Sequence, residues 1–233
     1  IMLVSPNTRQ LVGSLNPCLY LVIALGYLAT SIPLVGSLST RLNQNQKMLF
    51  LIFLVDIAAI SRGAREKGVP VLVDGSQSAV HMPVDVQALG CDFFAITGHK
   101  LYGPSGSGAI FIKADRQAEM RPFLGGGDMI REVSREAVSY AEPPMKFEAG
   151  TPGIVQTIGF GVALDYLMDL GMENVAAHEA RLRAYAESRL KGLNWLNIQG
   201  NAAQKAAIFS LTLNGAAHAH DISTVLDKRG VAV

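Results

Sequence analysis

Charge is scarce in this chain, and the shortage is local. Asp, Glu, Lys and Arg make up 17% of its 233 residues, against about a quarter in an ordinary globular protein. Before Ser61 the only charged residues are Arg9, Arg41, Lys47 and Asp56. A formal net charge of +1 gives no single-signed field, so neither nucleic acid nor an acidic partner is expected. Cysteine is scarce too. Cys18 and Cys91 are the only two, which excludes a disulfide framework and suits a reducing, cytoplasmic compartment. No metal site is expected: His218 and His220 lack a further ligand at metal spacing and read better as the start of a helix, and His81 and His178 stand alone. The loop Gly103-Pro104-Ser105-Gly106-Ser107-Gly108 is not followed by Gly-Lys-Ser/Thr, which excludes a Walker phosphate loop. No internal repeat or low-complexity tract is present.

Residues 1–55 are set apart by this shortage. Gln10 to Thr40 contains no charge, and Leu19 to Leu28 is strongly apolar. The uncharged run exceeds the ~20 residues a membrane helix needs. Pro17 and Pro33 bracket it, however, and leave too short a stretch between them. One basic residue and no clear cleavage site make a poor signal peptide. Met48 to Val55 reads as a buried strand. Three readings stay open, in order: a divergent or truncated start, a degenerate part of the large domain, and, last, a membrane anchor.

From Asp56 the pattern is orderly. Asp56 to Lys67 is an amphipathic helix with Ile57, Ile60 and Ala64 on one face, closed by Gly68. Strands follow at Val69–Val73, Phe93–Thr97 and Ala109–Ile112, with a short helix near Asp85–Leu89. Gly125 to Gly150 reads as irregular. Helices are predicted over Ile154–Leu170, Glu173–Lys191 and Asp221–Lys228, with strands at Leu196–Gln199 and Ala206–Leu213. The apolar strand runs predict an α/β fold with a mostly parallel sheet.

In such sheets, ligands bind beyond the carboxyl ends of the strands. Val71-Leu72-Val73 ends at Asp74, and Phe93-Phe94-Ala95-Ile96-Thr97 ends at Gly98-His99-Lys100. A carboxylate and an amine therefore reach one rim. Taken as two residues, a surface ion pair is the simpler reading. The same pair also suits pyridoxal phosphate, which needs a lysine for its Schiff base and a carboxylate facing its pyridinium nitrogen.

The neighbouring residues favour the second reading. Val73-Asp74-Gly75-Ser76-Gln77, Thr97-Gly98-His99-Lys100-Leu101-Tyr102-Gly103-Pro104, Gly125-Gly126-Gly127-Asp128-Met129-Ile130 and Phe147-Glu148-Ala149-Gly150-Thr151-Pro152 occur in this order. Together they resemble the class V aminotransferase family, and within it the cysteine desulfurases of the sulfur-mobilisation type. The resemblance covers roughly Asp56 to Val233. It implies fold type I: a mostly parallel sheet with helices on both faces, then a small C-terminal α/β domain. The domain expectation is 1–55 anomalous, 56–170 large cofactor-binding domain, and 171–233 the start of the small domain.

The resemblance also implies roles. Lys100 is the catalytic lysine that carries pyridoxal 5'-phosphate and moves the substrate's α-proton. Asp74 faces the pyridinium nitrogen, Gln77 donates to the phenolic oxygen, and Thr97 and His99 contact the phosphate. Thr151 reaches the phosphate of a neighbouring subunit, and the backbone near Gly125 borders that subunit's site, so a homodimer is expected. The implied reaction takes sulfur from L-cysteine, or a related amino acid, to give alanine and an enzyme persulfide. A sulfur-acceptor protein would then receive it, as in iron–sulfur cluster assembly.

The chain departs from the family in two places. No stacking histidine or phosphate-binding Ser/Thr is recognisable before Asp56. The family's catalytic cysteine and substrate-carboxylate arginine fall after Val233, so a fragment is expected. Selenocysteine lyase or another class V enzyme remains an alternative, as does a non-catalytic fragment. Cys91, between Gly90 and Asp92 at the start of a strand, reads as a small buried hydrophobe.

Overall fold

The computed structural model describes the backbone of residues 21–24 together with residues 56–200, 205–215 and 218–233. The described residues from Asp56 onward fall into two compact units, Asp56–Met172 and Glu173–Val233.

Among the described residues, the first unit is built on a four-stranded sheet in sequential order: β1 (Leu21–Ala24), β2 (Val71–Asp74), β3 (Phe93–Thr97) and β4 (Gly108–Ile112). The first two pairings are parallel, and β4 runs antiparallel to β3. Val71 and Val73 are buried in β2, as are Phe93 and Phe94 in β3. Each fully buried side chain of this size contributes about 1.5–3 kcal/mol of transfer free energy.

The connections carry the chemistry that starts and stops them. Asp56 caps α1 (Ile57–Arg65), accepting the Ala59 N–H at 2.8 Å. Asp85 caps α2 (Val86–Leu89) by accepting from Gln87 and Ala88 at 2.8 and 3.1 Å. After β4 come α3 (Ala114–Glu119), a hairpin of β5 (Ile130–Val133) and β6 (Val138–Tyr140), and α4 (Ile154–Leu170). Phe160 and Leu167 of α4 close a core with Val80 and Leu101, and Ala79, Ile96, Leu164 and Met172 pack around it.

The second unit contains most of α5 (Met172–Leu190), an antiparallel pair of β7 (Leu196–Gln199) and β8 (Ser210–Leu213), and α6 (Ala219–Asp227). His218 caps α6, its Nδ1 accepting the His220 N–H at 3.1 Å. Glu187 pairs with Lys205 at 3.3 Å.

Several expectations need correction. Leu21–Ala24, inside the run considered as a membrane helix, is a strand aligned residue for residue with Val71–Asp74. Among the described residues, no single helix is long and apolar enough to cross a membrane. The strand at Met48–Val55 lies outside the described residues. The expected strand from Ala206 starts only at Ser210, the residue paired with Gln199 at the end of β7. Gly125–Gly150 is not wholly irregular: it contains the β5–β6 hairpin, whose strands are short and exposed along their whole length, and β5, Ile-Arg-Glu-Val, shows no alternation of apolar and polar residues. Helix α3 was also unforeseen; only six residues long, it buries no residue fully.

Candidate active site

The parallel pairing of β2 with β3 carries both strand ends to one rim. Asp74, last in β2, lies opposite Ala95, and the Gly75 N–H extends the ladder to the Ala95 carbonyl at 2.8 Å. Gly75 has a steric reason to be glycine. A Cβ there would sit 2.0 Å from the Phe94 ring, inside any permitted contact. Asp74 is half-buried, and its Oδ1 accepts the Ser76 N–H at 3.0 Å, which fixes the carboxylate at the mouth of the strand. Gln77 follows with an exposed side chain, at the start of the short turn Ser78–Val80.

Thr97 ends β3, and Gly98–Lys100 form one 3-10 turn. The turn is closed by Leu101 and Gly103 N–H groups, both donating to the Gly98 carbonyl at 2.9 and 2.8 Å. Leu101, only 2% exposed, plugs into the core beside Phe160 and anchors the half-buried Lys100. Sequence reasoning missed this anchor; its signal was a lone large apolar residue between Lys100 and the loop. Thr97 Oγ1 and His99 Nδ1 are 3.0 Å apart. With neutral imidazole the two groups hold two polar hydrogens. One makes their mutual bond, and the other is left to donate outward in either tautomer.

Asp74, Gln77, Thr97, His99 and Lys100 thus share one strand-end region. Gly125 and Thr151, both exposed, belong to a second grouping. There the Gly150 N–H donates to the Gly127 carbonyl at 3.0 Å and so joins the two segments.

The opposite rim is of a different kind. Asp92, 8% exposed, accepts the Val71 N–H at 2.8 Å and Arg116 Nε at 3.1 Å, with Lys113 Nζ at 3.7 Å. Burial opposes its charge most strongly, but the Val71 and Arg116 hydrogen bonds and the Lys113 charge together hold the carboxyl below its ordinary range. Cys91 lies beside it, 0% exposed, and burial pushes its thiol up, away from the thiolate. Five strand residues span roughly 17 Å, so Cys91 is far from Lys100 along β3.

The donor set suits a phosphorylated aldehyde with a basic ring nitrogen. It comprises an amine, a carboxylate fixed by a backbone hydrogen bond, and a hydroxyl–imidazole pair with a proton to give to phosphate.

Comparison with known proteins agrees. A curated relative from Xylella fastidiosa named "Probable cysteine desulfurase" is 47% identical over 174 residues, covering 75% of this chain and 42% of that protein. A cysteine desulfurase from Dickeya dadantii is 46% identical over 179 residues, covering 76% and 43%. Among solved structures, a cysteine desulfurase from Escherichia coli superposes with a TM-score of 0.69 at 37% identity, covering 76% of this chain and 44% of that one. The chain therefore spans less than half the length of these relatives. The fold is that of fold-type-I enzymes, as its sequence implies. The family model for class-V aminotransferases matches residues 53–233, and the chain belongs to that family.

Proposed function

We propose that this chain is the cofactor-holding part of a pyridoxal-phosphate-dependent cysteine desulfurase, which converts L-cysteine to L-alanine and leaves the sulfur as an enzyme persulfide. The observation that carries this reading is the shared rim of Asp74 and Lys100, set there by the parallel β2–β3 pairing. The relatives named above are cysteine desulfurases, which favours L-cysteine as the substrate.

Each residue has a definite task. Lys100 holds the cofactor's aldehyde carbon and moves the substrate's α-proton. Asp74 keeps the pyridine nitrogen protonated. Gln77 donates to the phenolic oxygen, and Thr97 and His99 donate to the phosphate. When bound, pyridoxal phosphate supplies an electron sink for the substrate's α-carbon. Thr151 and the loop at Gly125 serve the neighbouring subunit's site in a homodimer. The buried, protonated Cys91 takes no part.

The reading extends to the setting. Residues 56–170 form the large domain and 171–233 begin a small one. The sulfur passes to an acceptor protein in the cytoplasm, for iron–sulfur cluster assembly. The test is binding of pyridoxal phosphate by the chain, followed by absorbance near the visible edge, with Lys100→Ala alongside. Unchanged absorbance in the variant sinks the proposal.

A further inference from the structure

The run Gly125-Gly126-Gly127 holds three glycines, and only one is sterically obliged to be glycine. A Cβ on Gly125 or Gly127 would meet nothing within 4 Å. On Gly126 it would lie 2.8 Å from the Gly150 nitrogen, 2.9 Å from the Ala149 carbonyl carbon and 3.3 Å from the Ala149 Cα. All three are backbone atoms, which cannot swing aside as a side chain can.

The loop cannot retreat easily either. Met129, 0% exposed, is buried two residues beyond Gly127. Its N–H donates to the Gly127 carbonyl at 2.8 Å, and its own carbonyl accepts the Ala141 N–H at 2.8 Å. The same Gly127 carbonyl takes the Gly150 N–H at 3.0 Å. Gly126 is thus seated directly on the peptide that precedes Thr151, with a buried anchor behind it.

We infer that Gly126 is a positioning residue for Thr151: its bare backbone sets where the 149–150 peptide lies, and so where the Thr151 hydroxyl is presented. This rests on the reading above, in which that hydroxyl donates to a cofactor phosphate. Alanine at 126 must push Ala149 and Gly150 away by several tenths of an ångström. A hydroxyl–phosphate bond of about 2.7 Å lengthened by several tenths of an ångström leaves the O–H···O range of about 2.5–3.0 Å and weakens.

The experiment measures the affinities of the full chain for pyridoxal phosphate and for pyridoxal, which lacks the phosphate. The ratio of the two isolates the phosphate contacts. Thr151→Val should lower that ratio about tenfold, the size of one charge-assisted hydrogen bond. Gly126→Ala should lower it to a similar extent while pyridoxal binding stays as in the parent. The double variant should be no worse than either single one. Gly63→Ala, in α1 and away from this loop, where a methyl also meets nothing within 4 Å, should leave both affinities unchanged. Faster hydrogen exchange at the Gly150 amide in Gly126→Ala is expected alongside.

An unchanged ratio in Thr151→Val overturns the reading beneath the inference. A lowered ratio in Thr151→Val with an unchanged one in Gly126→Ala overturns the inference alone. So does an equal loss of both ligands, or loss of the parent's far-ultraviolet dichroism, in Gly126→Ala, because the role assigned is local.

Discussion

The two rims of the sheet each carry an aspartate and a lysine, and they use them differently. At the amino-terminal rim of β3, Asp92 is buried and its carboxylate is engaged by Val71, Arg116 and Lys113. Lys113 also donates to the Gly90 carbonyl at 3.1 Å, as does Arg65 at 2.9 Å. At the carboxyl rim, Asp74 and Lys100 are only half-buried. Asp74 accepts one backbone N–H, and no ion pair to Lys100 forms among the described residues. Residue type does not separate a structural pair from a chemical one. Saturation does: groups satisfied by their neighbours hold the strands in register, whereas groups fixed in place but unspent can act on a ligand.

Breaking the carboxyl rim should have the largest effect. Lys100→Ala should abolish covalent cofactor capture while shifting the denaturation midpoint little, since the side chain's loss leaves the Leu101 anchor in place. Absorbance titration and urea unfolding on one sample check both halves. Asp74→Asn should retain some cofactor and slow α-proton exchange by several powers of ten, because an amide cannot hold the ring proton. Deuterium uptake at the α-carbon of a bound amino acid measures it, and exchange at the parental rate would remove Asp74 from the mechanism.

The amino-terminal rim should show the converse. Asp92→Ala should cost about 2–3 kcal/mol of stability, because it strips a buried strand-end N–H and a guanidinium of their acceptor. Cofactor capture by the fraction that folds should persist. Acid should expose the same contact. A carboxyl whose pKa is lower folded than unfolded contributes stability above its unfolded value, about 4. That contribution is lost as pH falls through the folded value. The parent should thus lose more stability than Asp92→Asn on acidification below about pH 4, as read from unfolding midpoints. The smallest effect is expected from Cys91→Ser. The thiol is buried and at the wrong rim, so sulfide release from L-cysteine, if the chain shows any, should not change.

Much of this contrast was legible in the sequence. The apolar runs ending in Asp74 and at Thr97 marked two strands and the rim they share, because a buried parallel strand shows its first polar group at its end. Helix α4 was legible to the residue, bounded by Pro152 and Gly171. The clamp at Asp92 was not. It depends on Arg116 and Lys113, more than twenty residues away, reaching back across β4, and no local pattern signals such a return. The β1 strand was hidden for a different reason: an uncharged apolar run reads alike as helix or buried strand, and only the ladder to Val71–Asp74 decides. The order of the glycine and Thr151 motifs was visible, but not that Gly126 rests on the peptide before Thr151.

The most direct test asks which lysine the cofactor finds. The chain is incubated with pyridoxal phosphate, reduced with borohydride, digested and mapped by mass spectrometry. The account predicts a phosphopyridoxyl label on the peptide containing Lys100, with Lys113 at the background level of other surface lysines. A label concentrated on Lys113, or spread evenly with no preference for Lys100, would contradict the assignment of the carboxyl rim as the site.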